Sequence, residues 1–144
     1  MWVRRTDGRS GLRALLVAAT LALSVPACSK QGSPEEVADA FAEAYFRRMD
    51  QEKAKEFTAL GASAMLDEEL RSVAEIRKEG YNPSEAGADV TIHRGESTPR
   101  DQRVRIPYEI VIKSEGAATT KDADIELTKI EGRWKVVRVG LKAR

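Results

Sequence analysis

The chain is short of the residue types from which most catalytic sites and covalent cross-links are made. Its 144 residues contain one cysteine, Cys28, and one histidine, His93. A single cysteine excludes an intrachain disulfide, so the fold must rest on its apolar core. One His and one Cys cannot compose a zinc site of the usual His/Cys kind. Asp122, Asp124 and Glu126, at spacing two on one strand face, leave a calcium or magnesium site as the lesser alternative to a solvated charged face, and no metal is expected. A nucleophilic triad would have to use His93, and no serine stands in a nucleophile-elbow context. The glycines form neither a Rossmann nor a P-loop fingerprint, so no cofactor is expected. An excess of one charge is also missing. The 24 basic and 23 acidic residues are interleaved, which leaves no electrostatic footprint for nucleic acid. The apolar run from Leu15 to Val25 is 11 residues long, well short of the roughly 20 that span a bilayer. There is no internal repeat and no low-complexity tract.

The N-terminus is the most informative stretch that is present. Arg4, Arg5, Arg9 and Arg13 precede the apolar run, and Leu21-Ala-Leu-Ser-Val-Pro-Ala-Cys28 closes it. This is the layout of a secretory signal peptide. Ending such a segment on Ala27-Cys28 resembles the lipobox of bacterial lipoproteins. The resemblance implies cleavage between Ala27 and Cys28, a diacylglycerol on the Cys28 sulfur, and a further acyl group such as palmitate on the new amino group. It implies a protein held to the cell envelope by its lipid, since two or three acyl chains anchor stably where one does not. Ser29 occupies the place where that family's inner-membrane retention signal puts Asp, which leans toward the outer membrane, facing the periplasm. Residues 1–27 carry four Arg and one Asp, so the chain without them has a net charge of −2. Residues 28–33 then form the lipidated cysteine and a flexible tether. Residues 34–144 suffice for one domain with one modest core.

That domain opens with clear punctuation. Ser33 can be an N-cap, Pro34 suits the first helical position, and Glu36 completes an S-x-x-E capping box. Val37, Ala38, Phe41, Ala44, Tyr45 and Met49 recur at helical spacing and predict one apolar stripe. Asp50 can cap a second, short helix through about residue 58. Ser63 can cap a third that reaches Glu79, with Gly80 just past its end and Pro83 preventing continuation. From about residue 88 the apolar period changes from 3.6 to 2. Val90 and Ile92 alternate with Thr91 and His93. Val104, Ile106, Tyr108, Ile110 and Ile112 share one face of the next strand, and Ala123, Ile125 and Leu127 one face of the strand after it. Glu131-Gly132 reads as a tight turn into a last strand from Trp134 to Leu141. Helices first and strands after predict an α+β domain, with three helices packed on a curved antiparallel sheet of about four strands.

The opening Ser-Pro-Glu-Glu-Val-Ala-Asp-Ala-Phe-Ala-Glu-Ala-Tyr-Phe, followed by Asp50 and Glu52-Lys-Ala54, and the closing Leu127-Thr-Lys-Ile-Glu-Gly-Arg-Trp-Lys-Val-Val137 resemble the nuclear transport factor two-like superfamily. The resemblance covers residues 33–141 and implies a cystatin-like cone, helices wrapped by a curved sheet. Within that superfamily the chain is similar to small bacterial lipoproteins of unassigned function. The superfamily holds ketosteroid isomerase-like and cyclase-like enzymes beside domains with no catalysis, so the fold alone does not decide function.

Candidate residues follow from this frame. As a general base, His93 would need an orienting carboxylate and a pocket, but it alternates out of phase with Val90 and Ile92 and is expected at the surface. It stays a weak catalytic candidate. Tyr45, Tyr108 and Trp134 are the candidates for lining a ligand pocket, their rings apolar and their tips polar. Asp122, Asp124 and Glu126 are expected to pair with Arg103 and Arg105 across a hairpin. Val137, Val139 and Leu141 are expected together on the convex face, an apolar patch suited to an interface, unless a bulge or a covering tail intervenes. The expected function is a non-catalytic binding or interaction module. Its partner would be an envelope protein, a second copy of the chain, or a small apolar ligand. The alternative is an isomerase-like or cyclase-like enzyme using a cavity base.

Overall fold

The computed structural model describes residues 32–78, 80, 88–114 and 116–143. The proposed cleavage and lipidation positions, Ala27 and Cys28, lie outside them. Helix α1 spans Pro34–Ala42 and continues as a π-helical turn over Glu43–Arg47. Its start is fixed as the sequence predicts. The Ser33 hydroxyl accepts from the Glu36 amide at 3.2 Å, and the Glu36 carboxylate accepts from the Ser33 amide at 2.9 Å, which satisfies two otherwise orphaned donors. Helix α2 covers Gln51–Lys55 and is capped by Asp50, while α3 covers Leu60–Lys78. The third helix therefore starts three residues before Ser63. Leu60, at φ 52°, bends the chain into it.

Five strands follow: β1 Asp89–Arg94, β2 Thr98–Arg100, β3 Arg103–Ser114, β4 Ala117–Ile130 and β5 Arg133–Ala143. All pairings between them are antiparallel, in the order β1-β3-β4-β5, with β2 also on β3 beyond the end of β1. The extra strand, β2, has no aliphatic or aromatic alternation and contains Pro99, which lacks an amide donor, so nothing in the sequence pattern announces it. The break between β1 and β2 lies opposite Pro107. There the Gly95 amide donates to the Pro107 carbonyl at 2.8 Å. A Cβ at residue 95 would sit 2.8 Å from the Pro107 ring, so only glycine fits this crossing.

The core lies between the helices and the concave face of the sheet. Phe41, Leu66, Ile106, Ile110, Ile125, Leu127 and Val136 are its largest fully buried side chains, each contributing about 1.5–3 kcal/mol. The π-turn inserts one residue into the first helix and brings Phe46 into the same cluster as Phe41 and Tyr45, a placement the 3.6-residue stripe omits.

The last strand departs from the expected alternation. Leu127 pairs with Val136, yet Glu126 pairs with Arg138, so Val137 is the extra residue of a bulge. Beyond it, Val139 pairs with Ile125 and Leu141 with Ala123. Val139 therefore packs against the core, Val137 is buried, and Leu141 is half exposed at the end of the same inward-facing set. The three do not form a convex apolar patch, because the bulge reverses the phase of the strand. The outer edge of β5 is covered in its middle, where Phe57 and Ala59 exchange backbone hydrogen bonds of 2.9 Å with Val136. Among the described residues, no helix is long and apolar enough to cross a membrane.

Candidate functional site

Two polar regions flank the packed interior. The first is at the mouth of the cone, where α1 passes β1 and β3. Asp39 faces the sheet from the helix. One of its oxygens accepts from the Tyr108 hydroxyl at 2.8 Å, and the other pairs with the Arg94 guanidinium. An open cleft of about 290 Å³ adjoins this network, lined by Asp39, Ala42, Glu43, Ile92, Arg94 and Tyr108. Glu43 is itself held by Arg47 and Arg48, each at 3.3 Å. One turn before Asp39, Glu35 is kept below the usual carboxylate range, first by its own backbone amide and then by the Ser97 hydroxyl.

Of the three pocket candidates, only Tyr108 lines this cleft. Tyr45 stacks on Phe41 with ring centres 5.3 Å apart, and its hydroxyl donates to Glu69 of α3 at 2.6 Å. Trp134 packs at the far end of the core, with the Lys129 ammonium 5.3 Å from its ring centre. The three rings therefore do not surround one space. Asp39 and Arg94 are the polar groups that the sequence reading missed. They stand 55 residues apart, and only the helix-to-strand packing brings them together.

Both tyrosine hydroxyls are pushed well above their ordinary value of 10. Burial is the main cause, with donation to a carboxylate adding to it. An unfolded tyrosine loses its proton near pH 10, whereas the folded one keeps it. Above that pH the native state binds more protons than the unfolded state, so stability falls as pH rises. Melting temperature followed from about pH 8 to 12 should drop at the alkaline end, and replacing Tyr45 and Tyr108 together by Phe should flatten that drop. An unchanged alkaline limb in the double variant would show that other groups drive it.

The second region is the outer face of the sheet. His93, Glu109, Asp122 and Lys142 are successive partners across four strands, and with Pro107, Gly95 and Asp124 they line a shallow trough of about 520 Å³. His93 is exposed here, on the side away from the interior, so it cannot act as a base inside the cone. Beside this row, Arg105 makes a two-pronged bond to Asp124 at 3.0 and 2.6 Å, and Arg103 reaches Glu126 at 3.5 Å. These are the cross-strand pairs expected from the sequence for Asp124 and Glu126, whereas Asp122 stands between Glu109 and Lys142 instead. The Arg105 guanidinium holds the Asp124 carboxyl below its usual range. Among the described residues, no three His, Cys, Asp or Glu side chains are placed to hold a metal ion.

No family model matches the chain, and no curated protein matches it at a significant level. Solved structures do. One named as a calcium/calmodulin-dependent protein kinase type II association domain from Thiobacillus denitrificans aligns over 79% of this chain and 97% of its own, with a TM-score of 0.56 and 15% identity. A five-substitution variant of Rd1NTF2_05 aligns over 75% of this chain and 95% of its own, at a TM-score of 0.51 and 14% identity. Bd1075 of Bdellovibrio bacteriovorus gives the same TM-score at 10% identity, over 76% of this chain but only 40% of its own.

The fold is the nuclear transport factor two-like cone. At these identities the likeness extends to the fold alone. In this cone, α1 and the concave sheet face meet at Asp39 and Tyr108, and the Asp39–Arg94 ion pair borders the cleft at their mouth.

Proposed function

We propose that the protein is a lipid-anchored component of the bacterial cell envelope whose cone domain is a non-catalytic binding or interaction module. The carrying observation is the join between leader and domain. Cys28 ends a basic-then-apolar leader, and the capped first helix begins at Pro34 after only five intervening residues. The packing supports a module without catalysis. Asp39 is the acid best placed at the mouth of the cone, and both of its oxygens are engaged by Tyr108 and Arg94. A substrate would have to reach one of the carboxylate's remaining lone pairs past both of these partners. The cleft beside Tyr108 is what favours the isomerase-like or cyclase-like alternative. That alternative requires Asp39→Asn to abolish turnover of a small apolar substrate.

The intact mass of protein purified from its native membrane tests the anchor. The expected result is a chain starting at Cys28 with a diacylglycerol on its sulfur and an acyl group on its amine. Cys28→Ser should leave the membrane fraction entirely. A wild-type chain with an unmodified Cys28 would overturn the reading.

A further inference from the structure

One element of the fold has no role in the core. Strand β2, Thr98–Arg100, buries none of its side chains, yet it is held in place by the Gly95 crossing and by pairing with β3. Its effect is to place arginines together. Arg100 is the partner of Arg103 across the hairpin, an opposition of like charges that costs stability in a sheet. Arg105 and Arg138 complete an open cleft of about 330 Å³ whose other lining residues are Asp101, Gln102's neighbour at the hairpin tip, and Glu126. Four guanidiniums thus face two carboxylates. Glu126 is shared at long range, 3.5 Å from Arg103 and 3.8 Å from Arg138, and both arginines are mostly exposed. Arg100 has no ion pair among the described residues. Only Arg105 is well satisfied, through Asp124 outside the cleft.

The position of this cleft relative to the tether gives it an occupant. Helix α1 runs antiparallel to β1, so its start lies at the β1–β2 connection, where the Ser97 hydroxyl bonds Glu35. Arg100 is three residues from Ser97, within about 11 Å along the chain. Cys28 is five residues from Ser33, so the tether spans at most about 18 Å. An acylated Cys28 would therefore keep this end of the domain within reach of the bilayer, so that the arginines can approach its surface to within a Debye length of roughly 8 Å.

We infer that the arginine cleft formed by Arg100, Arg103 and Arg138 binds the phosphate headgroups of anionic phospholipids in the membrane to which the protein is tethered. This rests on the lipid-anchor reading. The anchor supplies residence, and the cleft supplies orientation, turning the outer face of the sheet and the cone mouth in a fixed direction relative to the bilayer.

The test uses the native lipidated protein reconstituted into phosphatidylcholine vesicles with and without phosphatidylglycerol, read by amide hydrogen exchange. Residues 98–105 should exchange more slowly on the anionic vesicles only. Arginines near such a surface each contribute roughly fivefold to the contact equilibrium. Arg100→Ser, Arg103→Ser and Arg138→Ser together should therefore abolish the protection, while Lys53→Ser with Arg71→Ser, an exposed control pair on the helices, should leave it. Equal exchange on both vesicles with a diacylated Cys28 would overturn the inference alone. An unmodified Cys28 in the same sample's mass spectrum would remove the anchor and the inference with it. Equal protection on phosphatidylcholine when inorganic phosphate is added would make the cleft a free-anion site and overturn the headgroup assignment.

Discussion

Replacing Phe41 by alanine should lower the free energy of unfolding by about 3–5 kcal/mol, the usual range for truncating a buried aromatic. Phe41 is fully buried on α1, stacked on Tyr45 and met edge-on by Phe46 at a centroid distance of 6.4 Å. Its ring fills the point where the π-turn, the rest of α1 and the sheet converge, and the surrounding strands cannot collapse into the space. Urea unfolding reads the effect as a lower midpoint at an unchanged slope. Phe41→Leu conserves more of the volume and should cost clearly less. A loss below about 1 kcal/mol for the alanine variant would mean that the first helix is not the main support of the core.

The second large effect concerns the cone mouth. Asp39→Ala should destabilise the fold by about 1–3 kcal/mol, because it leaves the Tyr108 hydroxyl, on a residue only 3% exposed, without its acceptor. The Arg94 pair contributes little to that figure, since it is substantially exposed. The distinguishing experiment is a double-mutant cycle with Tyr108→Phe. Removing the hydroxyl as well removes the unsatisfied group, so the double variant should lose less than the sum of the two single variants. Strict additivity would show that the hydroxyl and the carboxylate do not depend on one another.

What the sequence disclosed and what it concealed separate by range of interaction. The Ser33 cap, the Asp50 cap and the turn at Glu131-Gly132 are local, and each is set by side chains within three residues of the backbone that they shape. The turn shows it directly, with both central residues at positive φ, 51° and 77°. The inward sets of β3 and β4 were also legible, because a half-buried strand repeats its pattern over many residues. Strand β2 was not, being three residues long, fully exposed and centred on a proline. The π-turn and the β5 bulge were concealed for a different reason. Each adds one residue to a regular element, and a periodic pattern carries no mark of where its phase slips. That slip brought Phe46 inward and removed Val137, Val139 and Leu141 as a shared outer patch. Asp39 and Arg94 were hidden by distance along the chain, since nothing beside either one names the other.

The two inserted residues give the domain an unusual relation to length. In an ordinary strand or helix, losing one residue throws every later side chain onto the wrong face. Here the first helix and the last strand each already contain one residue beyond regular geometry, at Glu43–Arg47 and at Val137. Deleting Val137 would place Val136 opposite Leu127 and Arg138 opposite Glu126, as they already are, and so leave both halves of β5 in phase. These two places, the π-turn of the first helix and the buried Val137, are where the chain can be shortened by one residue without scrambling what lies inside and outside.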